Sequence, residues 1–447
     1  MTGAYRLDND RRLREGVRQN GSARRHRQSI QPDHCQPRSR RPSMTIAVFP
    51  DLSSEAFFAD RYFTYRVLRE KFPFFRTEID GEPCILLTRY ADVDDILRHP
   101  LATIQSAPDD FPEKRIGQRS AERFYHETFC NLDVLDSLRL HRAVAPAFTP
   151  QAVAKMRGWM KEVIERHLAR LDDETEIDFI AAFVSPVTDE LAGRLLHVPA
   201  VDAGRLLRRS HDLITIICTG SPVNSALAAP NEAMRLYFAD IDNILRTLGT
   251  AKLPENDFIG LMLAAAGKDI GMIHSEIVSA IAGFIATAYH TMKSTIVNAT
   301  LALLRHPDQK IRLIAQPDLA RSAWEETLRF DGPVHFIHRF ARHPIVIGGV
   351  PIEPGLRLVL SIQSANRDEL QFSNPDRFII ARPNNGQLGF DGGPHFDWGA
   401  QVARLGGELL MQRLFQRFPK MYVKEVQTAP AGDISFPALT RLDVSLR

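Results

Sequence analysis

The chain has 447 residues, with 56 Lys and Arg against 54 Asp and Glu, 44% hydrophobic and 25% charged residues. That composition is globular and excludes a wholly disordered chain, a collagen-like fibre and a coiled coil. No apolar run approaches the roughly 20 residues that cross a bilayer, and the start lacks the apolar core of a secretory signal, so the chain is read as soluble and cytoplasmic, with no membrane partner.

Residues 1–43 stand apart. They hold eleven Arg and no Lys against four acids, Asp8, Asp10, Glu15 and Asp33, a net charge of +7 that leaves −5 on the body from 44 to 447. With so few apolar residues this segment cannot bury enough surface to offset its ordering entropy, so it is read as a disordered basic tail or an extension upstream of a natural start at Met44. The four acids argue against an organelle address, and no nucleic-acid partner is assigned. Cys35, Cys84, Cys130 and Cys218 are widely spaced with no C-x-x-C pair, so neither a zinc site nor a disulfide framework is indicated.

From Met44 onward, helical and strand signals mix without a repeat period. Phe74 to Ile79 and Pro83 to Thr88 flank Asp80-Gly81, which predicts a β-hairpin. Helices are predicted over 151–171, 183–197, 232–250 and 319–330, and a second β region over 345–361, punctuated by Gly348-Gly349 and Pro354-Gly355. The longest helix is predicted from His274 to Arg305, where His306-Pro307 stops it. At 1.5 Å per residue it would be about 45 Å long, enough to cross a domain. Its middle, SAIAGFIATAYHT, is small and apolar on nearly all faces, as expected of a core helix. Gly283 within it costs roughly 1 kcal/mol relative to Ala, which suggests close approach of something to that backbone.

Length alone suggests roughly three domains of about 150 residues. The C-terminal third points elsewhere. WEETLRFDGPVHFIHR, then SANRDELQFSNPDRF, then GFDGGPHFDWGAQVAR resemble, in order and spacing, three landmarks of the cytochrome P-450 superfamily of heme-thiolate monooxygenases. Upstream, LRLHRAVAPAFTP is similar to the segment entering the family's third helix region, and AGFIATA to its oxygen-binding helix. The resemblance spans 44–447 and implies one mainly α domain with small β-sheets (α+β), the cytochrome P-450 fold of the soluble bacterial class.

The resemblance also implies heme b, held by a cysteine thiolate that pushes electron density through iron to favour O–O cleavage. At the ligand position this sequence has Asp397, within a loop that keeps the family types at Phe390, Gly393, His395, Gly399 and Ala400. On the long helix the family's acid and threonine fall at Ile285 and Ala286, with Thr287 one residue along and therefore turned by about 100°. The bland reading of Thr287, a hydroxyl bonded to its own helix backbone, is preferred. Of the family's four propionate anchors, Arg339 and His395 match, while Ser137 and His141 replace a histidine and an arginine. Glu326, Arg329 and Arg377 match the family's buried ion triad. Features of the fold are kept while features of catalysis are changed.

Three functions compete on these residues. In the first, a cytochrome P-450 homologue inactive as an ordinary monooxygenase acts as a binding or auxiliary protein in a biosynthetic pathway, taking a small hydrophobic ligand and partnering a pathway enzyme. In the second, a heme oxidoreductase uses a non-cysteine ligand or peroxide, with a ferredoxin-type reductant. The third is a recently inactivated gene, or a sequence error at the loop. Asp397 as the iron ligand and no heme at all both stay open, since burial raises a carboxyl's pKa unless a charge holds it.

Overall fold

The apolar run read as a core helix forms the longest helix of the computed structural model, His274–Arg305, buried on every face from Ile277 to Ala286. Described are residues 60–447 apart from 80–81, 105–133, 211–227, 250–251, 255–256, 266–272, 394–396 and 429–434, together with Leu52, Ser54, Phe57 and Ala59. The basic tail, the Asp80-Gly81 turn, Cys35, Cys130, Cys218 and His395 thus lie outside the described residues. Pro50–Arg447 cluster as one unit, where length alone suggested three domains. Among the described residues no helix is long and apolar enough to cross a membrane.

The longer helices among the described residues are, in chain order, α1 Arg61–Lys71, α2 Tyr90–Arg98, α3 Val134–Val144, α4 Pro150–Ala169, α5 Ser185–Leu196, α6 Ala200–Arg209, α7 Ala228–Leu248, α8 Phe258–Ala265, α9 His274–Arg305, α10 Pro307–Ala315, α11 Ala320–Asp331 and α12 Ala400–Arg417. Their ends follow local chemistry. Thr149 accepts the N–H of Ala152 through its hydroxyl (3.2 Å) with Pro150 in the first helical position, which starts α4. Glu276 accepts the N–H of Ile273 (2.9 Å) at the start of α9. The segment expected to be helical from 183 begins earlier, with a π-helical turn over Ile180–Val184 that runs directly into α5.

Among the described residues ten short strands form three sheets. The largest has the order β1-β2-β8-β5-β3, from Phe74–Ile79, Glu82–Leu87, Arg357–Ser361, Phe336–Ala341 and Ala102–Thr103. β1 and β2 pair antiparallel as expected across 80–81, and β2 pairs parallel with β8 from Cys84 opposite Arg357 to Leu87 opposite Leu360. Buried along its whole length, β8 reads as a continuous run, RLVLS, rather than an alternation. Ile345–Ile347 and Val350–Ile352, β6 and β7, form a separate hairpin. Its turn places Gly348 and Gly349 at φ 55° and 81°. β4 Glu176–Asp178, β10 Leu439–Ser445 and β9 Tyr422–Thr428 make the third sheet.

Two apolar cores flank α9. One gathers Val163 and Ile164 of α4, Ile296 and Leu303 of α9, Trp324 and Leu328 of α11, and Leu410 and Leu414 of α12. The other gathers Tyr237 and Ile241 of α7, Ile259 of α8, and Ile281 and Phe284 of α9 with Trp398.

A buried ion network ties α11 to the chain that carries the candidate loop, and it corrects one expected member. Glu326 and Arg329 are fully buried and joined by two hydrogen bonds of 2.8 and 2.9 Å. The second cation is Arg382, whose Nε donates to both oxygens of Glu326 at 3.2 and 3.0 Å. Arg377 gives only its carbonyl, which accepts from Arg329 (3.1 Å) and Arg382 (2.9 Å), while its side chain is exposed. Ile379 N–H and Asn385 complete the shell of Glu326 at 2.8 and 3.1 Å. The carboxylate thus has the several charged and neutral donors that make burial of a charge tolerable.

Candidate functional site

The loop Gly389–Gly399 hangs between that network and α12. Phe390 accepts the N–H of Asp397 on its carbonyl (3.0 Å), and Gly393 sits at φ 61° with no room for a side chain, because a Cβ there would stand 2.7 Å from the carbonyl oxygen of Leu97. Asp397 then opens the helix. Its Oδ1 accepts the N–H of Gly399 at 2.7 Å and its carbonyl accepts that of Ala400 at 3.2 Å, an Asx turn leading into α12. Asp397 lies deep in the molecule, its remaining accessible surface opening on a cavity it lines. Burial pushes its carboxyl up to about 6, against the pull of the Gly399 N–H and with the help of the nearby Asp391 charge.

Across from the loop, α9 presents Phe284 rather than an open face. Its ring carbon Cε2 is 3.4 Å from where a Cβ on Gly399 would be, so a side chain added there would meet the ring. The ring belongs to an aromatic cluster: Phe258 at 4.6 Å between centroids, Phe148 at 5.5 Å, and Trp398 at 6.4 Å and 20°. His141 of α3 stacks on the other partner, Trp398, at 5.7 Å and 13°, and burial lowers its pKa. It is therefore a neutral ring in an aromatic stack at neutral pH.

The expected site residues fall as follows. Ile285 and Ala286 are buried and offer no polar atom, and Ile285 lines the cavity. Thr287 donates to the carbonyls of Gly283 (3.0 Å) and Phe284 (3.1 Å), its own helix. Gly283 is buried, and beside it the hydroxyl of Tyr237 donates to the carbonyl of Ala282 at 2.8 Å. Arg339 of β5 is paired with Asp391 and donates to the carbonyl of His338. Phe390 packs under Arg404, whose guanidinium carbon is 4.5 Å from the ring centre. The side chain of Ser137 lies, like His395, outside the described residues.

These positions test whether a heme fits. A flat macrocycle between α9 and the loop needs about 3.5 Å of carbon–carbon separation on each face. The Phe284 ring stands 3.4 Å from the point that a Cβ on Gly399 would take. The two propionate partners visible here are committed elsewhere, Arg339 to Asp391 and His141 to Trp398. The donor set does not fit a heme-thiolate centre, since a carboxyl stands at the ligand position and Arg339 is already paired. What remains beside Asp397 is a cavity of about 120 Å³, walled by Phe284, Ile285, Tyr289, Trp324 and Phe390 among others. Phe284, Trp324 and Trp398, which give this site its character, carried no motif in the sequence, and the only signal was an aromatic residue on each side of the expected heme.

Comparison with known proteins agrees with the fold. The family model for cytochrome P-450 matches residues 312–435. Cytochrome P-450 107B1 of Saccharopolyspora erythraea is 30% identical over 387 residues, covering 85% of this chain and 93% of the relative. The vitamin D(3) 25-hydroxylase of Pseudonocardia autotrophica is 30% identical over 373 residues, covering 83% and 89%. Among solved structures, the cytochrome P-450 BioI bound to an acyl carrier protein carrying hexadec-9Z-enoic acid superposes with a TM-score of 0.81 at 26% identity, over 89% of this chain and all of the other. The fold and the loop define a heme-thiolate type of scaffold. This chain belongs to the cytochrome P-450 family, whose members bind heme.

Proposed function

We propose that this chain is a cytochrome P-450 homologue that no longer performs heme-thiolate monooxygenation and acts in the cytoplasm as a small-molecule-binding, auxiliary protein of a biosynthetic pathway. One observation carries the reading: Asp397, a half-buried carboxyl that burial pushes up to about 6, stands in the place of the family's thiolate. The distal positions agree with it. Ile285 and Ala286 supply neither acid nor hydroxyl, and a positioned proton donor typically contributes 10²–10⁴-fold. On this reading the partner is a pathway enzyme rather than a ferredoxin-type reductant. Relatives named for biotin biosynthesis and for polyketide biosynthesis support such a setting.

The test is the absorbance spectrum of the full chain after incubation with hemin and removal of excess. The expected result is no Soret band. A Soret band lacking the thiolate–CO signature would instead favour a heme oxidoreductase with a non-cysteine ligand, and one showing that signature would overturn both readings.

A further inference from the structure

The polar side chains on the wall of the cavity beside Asp397 are sorted by their hydrogen bonds. Thr188 donates to Val184 O (2.7 Å), Thr291 to Thr287 O (2.6 Å) and Thr295 to Thr291 O (2.6 Å), so each hydroxyl proton is held by its own helix. Tyr289 donates to Asp189 at 3.0 Å, and Asp397 accepts the N–H of Gly399. Trp324 differs. Its indole Nε1 is buried, and no acceptor among the described residues reaches it. The ring cannot turn to find one, because it is 1% exposed and held against Gly407 of α12. A buried donor left unmet is costly, and a buried indole N–H usually has a partner.

The remaining wall narrows what could meet it. Among the described residues it holds no lysine, arginine or histidine, while Asp397 brings a carboxyl that is charged above about pH 6. An anionic ligand would meet a like charge and no cation there. At about 120 Å³ the space is of the order of the roughly 150 Å³ apolar cavity that holds benzene in an engineered protein.

We propose that this cavity binds a small monocyclic ketone, its carbonyl oxygen accepting the indole N–H of Trp324 and its ring against the apolar wall that includes Phe284, Ile285 and Phe390. The proposal rests on the heme-free reading above. A ring without an acceptor leaves the indole unmet, and a carboxylate of the same size is opposed by Asp397. A neutral carbonyl meets the donor without that opposition.

The experiment uses the full chain, prepared without heme and isotopically labelled on nitrogen, titrated with cyclohexanone and with methylenecyclohexane, which has nearly the same shape and no oxygen. The chain has three Trp, so Trp159→Phe and Trp398→Phe assign the indole signal of Trp324 by magnetic resonance. Cyclohexanone is expected to move that indole proton downfield, and methylenecyclohexane to move it less. By calorimetry the preference for the ketone over the alkene should fall about fivefold in Trp324→Phe, the ratio given by a neutral hydrogen bond of ordinary strength. Where that variant fails to fold, the shift in the parent still decides. Equal movement of the signal by both rings, cyclohexanecarboxylate binding as tightly as the ketone at pH 8, or no binding of either ring to a chain that takes up no hemin would overturn this inference and leave the heme-free reading standing. A Soret band after incubation with hemin would overturn that reading and the inference with it.

Discussion

The indole of Trp324 on α11 occupies the space that a side chain on Gly407 of α12 would need: a Cβ there would stand 2.1 Å from Cδ2 of the ring. Trp324 is only 1% exposed and cannot swing out to solvent. A large residue on one helix and none on the other let these helices lie closely together beside the candidate site.

Gly407→Ala is therefore expected to cost at least the ~1–3 kcal/mol typical of overpacking, visible as a lower urea midpoint at unchanged slope. Pairing it with Trp324→Leu should recover part of the loss, because residues in contact are not additive. A single mutant that melts with the parent would mean that the two helices are free to separate.

Arg329→Ala and Arg382→Ala should each cost about 3–5 kcal/mol, since either leaves Glu326 buried with its charge partly uncompensated. Arg377→Ala should stay within about 0.5 kcal/mol, because that position contributes only a carbonyl. Equal losses at 377 and 382, measured by denaturant unfolding, would restore the assignment read from the motif.

Asp397 titrates near 6 in the fold, against 3.8 for an ordinary aspartate, because burial disfavours its charge. Between those values the folded state holds the proton more tightly than the unfolded one, so the contribution of this group falls as pH rises from about 4 to 6 and stays low above. The difference is about 3 kcal/mol at 1.36 kcal/mol per unit. Asp397→Asn should accordingly be more stable than the parent at pH 8 and lose that advantage at pH 4. Parallel stability–pH curves for the two proteins would show the carboxyl to be solvated.

Asp397→Cys alone is expected to give no thiolate–CO spectrum after hemin incubation, because Arg339 stays paired with Asp391 and the Phe284 ring stays close to Gly399, 3.4 Å from where a Cβ there would be. Adding Phe284→Ala removes the ring, and the double variant is where such a spectrum should first appear. Its appearance in the single variant would mean that the ring gives way to a macrocycle unaided.

Deleting residues 1–43 should leave the melting temperature of the body unchanged, since their composition, eleven Arg with few apolar residues, offers little to bury. A drop of several degrees by scanning calorimetry would show packing against the body.

What could be read in the sequence was local or carried by resemblance. The limits of α9 were legible because a helical stretch with a small, apolar middle ends at His306-Pro307, and β1 and β2 because two short runs flank a turn dipeptide. Arg382 was missed because two arginines five residues apart are equivalent in a pattern, and only the turn between them decides which guanidinium points inward. The approach of Phe284 to Gly399 and the stack on Trp398 were not legible at all. They join positions more than a hundred residues apart, and no periodicity or propensity records which rings meet across a core.

The parallel pairing of β2 with β8 also sets a timetable for synthesis. Cys84 waits for Arg357, which is 273 residues later. At roughly 5–20 residues per second, the hairpin emerges from the ribosome about 15 to 55 seconds before its neighbour exists. Until then the inner edge of β2 is an open row of backbone donors and acceptors, the kind of edge that recruits a strand from another chain. Yield from a crowded expression host is thus governed in part by what shields that edge in the interval, and slowing translation after residue 87 lengthens the exposure.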